Sequence, residues 1–254
     1  SDGEPVLEVR GVSRSFGGIR AVDDASLHVD DGEIVGIIGA NGAGKTTLFD
    51  LVCGYVDPDE GEVVLCGEDL TALAPHDRAR RGLGRSFQDA RLVPSLSVAE
   101  NLALGFEGHL LWHDHLAAAL RLPGQVRQEE DVAWSVDDLV ELMGLQAYRD
   151  KLANELSTGT RRVVDLAMVI AQDPTIVLLD EPASGVAQRE TESLGPLLRR
   201  IQAETGCSML VIEHDIPFLT GVADRLVAMD LGHPIAEGSP GDVLEDPRVL
   251  AAYL

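Results

Sequence analysis

The chain has 254 residues, of which 45% are hydrophobic, and its formal net charge is −23 at pH 7. That length and apolar content are sufficient for one large α/β domain with a buried core. The acidic balance is opposite to the basic surfaces that bind nucleic acid or anionic lipid, so we predict no nucleic-acid partner and no direct lipid anchoring.

The first predicted elements are short β-rich runs near the N-terminus. They are Val6–Val9, Ser26–Val29 and Glu62–Cys66, the last of which follows a turn signal at Asp57–Gly61. We expect these runs to form an antiparallel sheet beside the strand that follows the second of them.

That strand, the apolar run Ile34–Ile38, leads into a glycine-rich loop at Gly39–Thr46. Glycine, four residues, glycine, lysine and threonine after a buried strand form the pattern of a phosphate-binding loop; by itself the pattern also fits an ordinary glycine turn. Backbone N–H groups and the N-terminus of the next helix would wrap a triphosphate, Lys45 would add positive charge, and the Thr46 hydroxyl would bind Mg²⁺. The candidate nucleotide-binding residues of this segment are Gly39, Asn41, Gly42, Gly44, Lys45, Thr46 and Thr47.

From about Pro94 to Asn154 the apolar positions recur at helical spacing. This predicts a helical subdomain at about residues 91–159, inserted into an α/β core formed by residues 1–90 and 160–254. A group of histidines in this block could share a metal ion, but exposed histidines need no ligand, and we predict no metal site there: they are His109, His113 and His115.

The cysteines have no paired spacing of the metal-site type. We predict that all of them are reduced residues of the core. They are Cys53, Cys66 and Cys207.

Alternation of strands and helices resumes with the apolar runs Thr175–Leu179, Ser208–Ile212 and Arg225–Met229, which are typical of a parallel sheet covered on both faces. The first of these runs ends in Asp180 and Glu181. Because ligands bind at the carboxyl ends of such strands, both acids are expected beside the phosphate loop. There Asp180 would hold Mg²⁺ and Glu181 would polarise a water aimed at the γ-phosphate.

Three further segments complete a recognisable pattern. Leu156–Thr160 begins a predicted helix, Phe87-Gln88 lies between the sheet and the helical block, and His214 follows a strand. In order and spacing, these segments and the phosphate loop resemble the ATP-binding subunits of ABC transporters over essentially the whole chain. The resemblance implies one domain at 1–254, an α/β P-loop NTPase core of ABC type with an antiparallel β subdomain and an inserted helical subdomain.

The resemblance also implies roles for single residues, with ATP and Mg²⁺ as the ligands. Phe16 would stack on adenine, Gln88 would reach Mg²⁺ and the attacking water, and His214 would contact the γ-phosphate. Ser157 and Gly159 would serve in trans, on ATP bound to a partner subunit. The catalytic set is then Glu181, His214 and Gln88, and the metal set is Thr46, Gln88 and Asp180.

Finer features resemble the ATP-binding subunits of branched-chain amino-acid importers. They are Phe16–Ala21, Gly84–Gln88, Val98–Asn101, Ile212–Asp215 and the tail Pro247–Leu254. The resemblance implies a transmembrane permease and a second ATP-binding subunit as partners, at the cytoplasmic face of the cell membrane.

Two positions depart from the family pattern. The signature reads Ser157-Thr158-Gly159-Thr160 where the family usually ends in Gly-Gln, and Ala187 stands where Asp or Asn is usual. The first change is expected to weaken side-chain contacts behind Ser157, and the second to loosen communication between two ATP sites.

The predicted function is therefore a Mg²⁺-dependent ATPase that powers an importer. Three alternatives remain open: a soluble ABC ATPase with a mechanical role in DNA repair or translation, a regulatory module that holds ATP without hydrolysing it, and a transporter of another substrate class. The sequence leaves open a homodimer or a heterodimer, and a permease fused upstream of Ser1.

Overall fold

The computed structural model describes residues 4–86, 92–106, 135–186 and 188–253. The chain divides into two compact units, one formed by residues 1–88 and 174–254 and the other by residues 89–173. Each unit has its own arrangement of elements and is described by itself.

The first unit contains most of the strands. In chain order its elements are β1 (Leu7–Phe16), β2 (Ile19–Val29), β3 (Ile34–Gly39), α1 (Lys45–Cys53), β4 (Glu60–Leu65), β5 (Glu68–Asp69), α2 (Pro75–Arg80) and β6 (Leu83–Arg85). The second unit interrupts it with α3 (98–106), α4 (Val136–Leu142) and α5 (Thr158–Ile170). The first unit then resumes with β7 (Ile176–Asp180), α6 (Gln188–Thr205), β8 (Ser208–Ile212), α7 (Ile216–Val222), β9 (Arg225–Asp230), β10 (His233–Gly238), α8 (Pro240–Glu245) and α9 (Pro247–Tyr253).

The N-terminal strands form a four-stranded sheet in the order β2-β1-β4-β5. All of its pairs are antiparallel, which confirms the predicted antiparallel sheet. Its inner face packs into the main core through residues such as Leu7, Val9 and Val63. Strands of this kind have one buried face and one facing water, which explains their alternating pattern.

The second sheet has six strands in the order β10-β9-β3-β8-β7-β6. Neighbouring strands from β9 to β6 are parallel, and β10 pairs with β9 in antiparallel fashion. Every residue of β3, β7 and β8 is buried, as the continuous apolar runs predicted. The edge strand β10 was not among the predicted strands.

Helix α1 is held by apolar packing against the core and by hydrogen bonds at its C-terminal end. Its residues Leu48 and Phe49 are fully buried in the core. At its other end the buried Arg78 donates from Nη1 to the carbonyl oxygens of Leu51 and Val52, at 2.7 and 2.8 Å. These carbonyls belong to the last helical turn, where the Gly54 N–H also donates to the Leu51 oxygen at 3.2 Å, so Arg78 completes the hydrogen bonding of the helix end and holds it in place.

The second unit ends at residue 173, later than the predicted end at 159, so that α5 belongs to this unit. The reason is a close approach of α3 to α5: a Cβ built on Gly105 would lie 3.1 Å from the Met168 carbonyl oxygen and 3.2 Å from the Ala171 Cβ. Helix α5 also buries an apolar stripe that includes Val164 and Ile170. Such packing is not visible in the spacing of a single helix.

Two of the three cysteines, Cys53 and Cys207, are buried as predicted, but Cys66 is exposed. It lies in the turn after β4, where its backbone is left-handed with a φ of 49°. Among the described helices, none combines the length and the apolar character that crossing a bilayer requires.

Candidate functional site

The three central strands of the parallel sheet carry the predicted catalytic segments to one edge. Strand β8 lies between β3 and β7, and Ile212 pairs with Ile37 on one side and with Asp180 on the other. The glycine-rich loop follows β3, Glu181 follows β7, and His214 follows β8. The sheet therefore brings together residues that are distant in the chain, at the edge where α/β proteins bind ligands.

The glycine-rich loop is packed closely at two of its glycines. A Cβ on Gly39 would lie 2.6 Å from the Met229 carbonyl oxygen, and a Cβ on Gly44 would lie 2.4 Å from the Ala21 carbonyl oxygen. Gly44 has a φ of 96° and is the N-cap residue of α1. It provides no side-chain cap, so the first backbone N–H groups of the helix are available for an anion.

Lys45 is folded into this loop, with a residue exposure of 6%. Its Nζ donates to the carbonyl oxygens of Gly39 and Ala40 at 2.7 and 3.0 Å. Burial lowers the pKa of Lys45, while the carboxylates of Glu181 and Asp180 oppose this shift. The ammonium is thus held by the loop and attracted by the charges of both acids.

Asp180 ends β7 with a residue exposure of 6%. Its Oδ2 lies 3.5 Å from Nη2 of Arg85, whose Nη1 donates to Asp50 at 2.7 Å. Its Oδ1 is buried and has no hydrogen-bond partner among the described residues. Burial raises the pKa of Asp180, and Glu181 acts in the same direction, whereas Arg85 opposes the shift.

The residues fit a Mg²⁺ site on two counts. A buried carboxylate oxygen without a partner is costly unless a cation or donor completes it, and carboxylate oxygen is a ligand that Mg²⁺ prefers. The side chain of Thr46 is exposed in the first turn of α1, beside the loop. Asp180 and Thr46 are thus the described residues that could hold the ion.

Glu181 and His214 are in direct contact. Nε2 of His214 lies 2.8 Å from Oε1 of Glu181. Glu181 has a left-handed backbone with a φ of 49°, and its N–H donates to the Ile212 carbonyl oxygen at 2.9 Å. A non-glycine residue is held in this conformation only where its surroundings determine it, and such positions cluster at functional sites.

These two side chains line a cavity of about 370 Å³. Its other walls come from the turn after β7 and from the start of α6 and α7, through Ala183, Ser184, Val186, Thr191, Glu213 and Asp215. A water and the end of a phosphate chain fit in a space of this size.

Phe16, the predicted adenine platform, ends β1 and is 45% exposed. The Arg14 guanidinium carbon lies 5.0 Å from the centre of its ring. Arg14 is itself held by Asp59 Oδ1 at 2.9 Å and by the Asp57 carbonyl oxygen at 3.0 Å. One face of the ring is thus covered by a cation, and the exposed part remains for a planar ligand.

The signature lies in the second unit, at the start of α5. Ser157 is the exposed N-cap residue, and its Oγ accepts from the Thr160 N–H at 3.1 Å. The Thr160 Oγ1 lies 2.9 Å from the same oxygen. The unusual Thr160 therefore contacts Ser157 through both its backbone N–H and its hydroxyl. Gly159 is buried in the first turn.

Several predictions fall outside the described residues. They concern Gln88, Ala187 and the histidines at positions 109, 113 and 115. Within the described ranges, no three His, Cys, Asp or Glu side chains are grouped so as to hold a metal ion by themselves.

The structure adds three residues that the sequence did not single out: Arg14, Arg85 and Glu213. Each acts through a partner that is distant in the chain, such as Asp59, Asp180 or Ala183. The signal available in the sequence was slight: Arg85 and Glu213 lie inside the segments Gly84–Gln88 and Ile212–Asp215 without a role of their own, and Arg14 lies two residues before Phe16.

Comparison with known proteins identifies the family of the chain. Residues 22–184 match the family model of the ABC transporter, and residues 233–254 match that of the branched-chain amino acid ATP-binding cassette transporter. The chain belongs to the ABC transporter family, as an ATP-binding subunit or domain.

Two curated relatives indicate the range of systems in which similar chains work. The high-affinity branched-chain amino acid transport ATP-binding protein BraF of Pseudomonas aeruginosa is 34% identical over 250 residues, which cover 98% of each chain. The lipopolysaccharide export system ATP-binding protein LptB of Escherichia coli is 35% identical over 248 residues, covering 98% of this chain and 96% of LptB.

Among solved structures, the ATP-binding cassette MJ1267 of an ABC transporter superimposes with a TM-score of 0.82. It is 28% identical, and the match covers 99% of this chain and 100% of the other. This confirms the predicted α/β cassette fold, and membership of the family implies that the chain binds ATP and works with membrane components.

Proposed function

We propose that the chain is a Mg²⁺-dependent ATPase that powers a membrane importer, of the branched-chain amino-acid type, from the cytoplasmic face of the membrane. The observation that carries the ATPase is the contact of Glu181 with His214, at the sheet edge that also presents Lys45 and Asp180. The importer type is supported by the match at residues 233–254 and by the relative BraF.

ATP binding would begin when the Lys45 ammonium exchanges its hydrogen bonds to the loop for bonds to phosphate. In the structure this ammonium donates to two loop carbonyls. Phosphate oxygens carry full negative charge and would replace these carbonyls, while N–H groups at the start of α1 bind the same anion. The adenine would stack on the part of Phe16 that Arg14 leaves exposed.

Catalysis then depends on freeing Glu181. When the γ-phosphate enters, His214 can turn its Nε2–H from Glu181 to a phosphate oxygen, which leaves Oε1 open to a water. As the water oxygen attacks phosphorus, Glu181 takes its proton, and the bond to the ADP oxygen breaks. Thr46, Asp180 and Gln88 would hold Mg²⁺, which neutralises charge on the β- and γ-phosphates when it is bound.

The second half of the site would come from another subunit. The start of α5, at Ser157 and Gly159, is a second helix N-terminus that would bind an anion. We propose that it faces ATP bound to a partner ATPase, and that a permease completes the complex. The relative LptB, which belongs to a lipopolysaccharide export system, makes another substrate class the second candidate.

The site is tested by Lys45→Ala, with Lys151→Ala as the matched control. Lys151 is exposed and lies 5.0 Å from the Tyr148 ring centre in the second unit. We expect Lys45→Ala to abolish ATP binding in titration calorimetry, because the phosphate loses its charge partner, and Lys151→Ala to bind normally. Equal affinity for both variants would remove the phosphate loop from the nucleotide site.

The transport role is tested by co-purification of the tagged chain from membranes with the proteins that accompany it. A multi-spanning permease whose binding protein takes branched-chain amino acids is the expected result. A permease for another substrate would support the second candidate, and recovery with DNA-repair or translation components would contradict both.

A further inference from the structure

Glu213 lies between β8 and His214, and its residue exposure is 4%. Each of its carboxylate oxygens accepts one backbone hydrogen bond. Oε1 accepts from the Ala183 N–H at 2.6 Å, and Oε2 accepts from the His214 N–H at 3.0 Å. One buried side chain thus joins the loop after β7 to the loop after β8.

This position requires a carboxylate rather than any polar group. Both neighbours are donors, and an ionised carboxylate offers acceptors only, on both of its oxygens. An amide of the same size would accept one N–H and turn its own N–H₂ toward the other. Two charge-assisted bonds also offset the cost of burying the charge.

The joined loops carry the reacting groups. Ala183 is two residues after Glu181, and His214 is the residue whose Nε2 touches Glu181 Oε1. The four residues form a closed ring of contacts, in which the link through Glu213 lies opposite to the contact between Glu181 and His214. Since Glu181 has a left-handed backbone, its loop needs such an external tie to keep its shape.

We propose that Glu213 is a positioning residue for hydrolysis, which sets the separation of Glu181 and His214 by fixing the backbone of both loops. The inference rests on the proposed ATPase function. Glu213 lines the same cavity, but its oxygens are engaged with backbone N–H groups and act through them.

The test is Glu213→Gln, which keeps the volume and removes one acceptor. We expect kcat to fall on the order of 10–100-fold, since displacement of catalytic groups by about 1 Å costs that much. KM for ATP and the calorimetric affinity should change less than about twofold, because Lys45 and Phe16 do not contact Glu213. Glu213→Asp keeps both oxygens one methylene further away and should recover part of kcat.

A second readout needs no turnover. In ¹⁵N spectra of the nucleotide-free protein, the His214 ring signal, assigned by its loss in His214→Ala, should move in Glu213→Gln because the contact with Glu181 loosens. Glu33→Gln is the matched control: Glu33 also accepts a backbone N–H, from Asp30 at 2.9 Å, and it pairs with Arg225 away from the cavity. It should lower the melting temperature without moving kcat or the His214 signal.

The outcomes separate the two proposals. A wild-type chain that hydrolyses no ATP in the presence of its partners contradicts the proposed function. An active wild type with a Glu213→Gln variant of normal kcat and an unmoved His214 signal overturns the positioning role. Should Glu213→Gln not fold, the same two measurements on Glu213→Asp decide, and normal values for both again overturn it.

Discussion

The carboxylate of Asp180, which we propose as a Mg²⁺ ligand, lowers the stability of the folded protein. Its Oδ1 is buried without a hydrogen-bond partner among the described residues, and burial raises the pKa of the carboxyl group. A raised pKa in the folded state means that the folded chain holds the proton more tightly than the unfolded chain. The stabilisation is present at low pH and is lost as the pH rises through the folded pKa, so the ionised form destabilises the nucleotide-free protein at neutral pH.

We therefore expect Asp180→Asn to raise the melting temperature of the nucleotide-free protein at pH 7.5, by about 2–4 °C. The same variant should lose Mg²⁺-dependent strengthening of nucleotide binding. The difference in melting temperature from the wild type should vanish as the pH falls and Asp180 takes up its proton. Differential scanning calorimetry over a pH series measures the difference in melting temperature and its disappearance at low pH.

Asp50→Asn is the control for this variant, because Asp50 accepts from the same arginine, Arg85, at 2.7 Å. Its carboxylate is paired, so its replacement should lower the melting temperature. A lower melting temperature for Asp180→Asn as well would show that the Asp180 carboxylate stabilises the fold, contrary to this account.

At the scale of elements, the junction of β3, the glycine-rich loop and α1 depends on close backbone approach. Gly42 and Gly44 both have left-handed backbones, with φ of 84° and 96°. They differ in surroundings: a Cβ on Gly42 meets nothing within 4 Å, whereas one on Gly44 would lie 2.4 Å from a β2 carbonyl oxygen.

Alanine substitutions at Gly42 and Gly44 are expected to lower the free energy of unfolding by unequal amounts. Gly42→Ala should cost only the left-handed strain of about 1–2 kcal/mol. Gly44→Ala should cost distinctly more, because β2 must move away from α1. Chemical denaturation of both variants gives the comparison, and equal free energies of unfolding would show that β2 does not constrain the loop.

The sequence predicted those elements that depend on local patterns, and it missed those that depend on contacts with other segments of the chain. Runs such as Ser208–Ile212 were predicted correctly because burial on both faces leaves an unbroken apolar run. Strand β10 (His233–Gly238) was not predicted, because its own sequence has no strand pattern. It is a strand because it pairs with β9. The phosphate loop and the acids after β7 were recognisable from local patterns, and the structure brings them together.

The parts of the site that the sequence did not predict depend on contacts between residues that are distant in the chain. The hydrogen bond of Glu213 to Ala183 joins residues 30 positions apart, and the ion pair of Arg85 with Asp180 joins residues 95 apart. No periodicity or local motif encodes such a contact. The prediction that Cys66 lies in the core failed for a local reason, because the residue lies in the turn after β4 and is exposed.

At the scale of the whole molecule, charge and an incomplete site both bear on assembly. Two copies that each carry a formal charge of −23 repel one another. We also expect the altered signature at Thr158 and Thr160 to favour a heterodimer with a subunit that carries a standard signature. We expect the isolated chain to be mostly monomeric in light scattering and to hydrolyse ATP slowly. Adding the partner ATPase and permease should raise the rate.

The measurement is the ATPase rate against the concentration of this chain alone. A steep second-order rise to the rate of the complete transporter, together with a stable homodimer, would contradict the heterodimer. The same experiment at higher salt, which screens the repulsion, separates the effect of charge from that of the signature.

The central claim is that Glu181 serves as the base of a Mg²⁺-dependent ATPase. Phosphate release by the wild type and by Glu181→Gln, each with its partners and with either Mg²⁺ or chelator, tests it most directly. We predict that the wild type releases phosphate only with Mg²⁺, and that Glu181→Gln binds ATP normally but is slower by roughly two to four orders of magnitude. Phosphate release by Glu181→Gln at the wild-type rate would contradict the account.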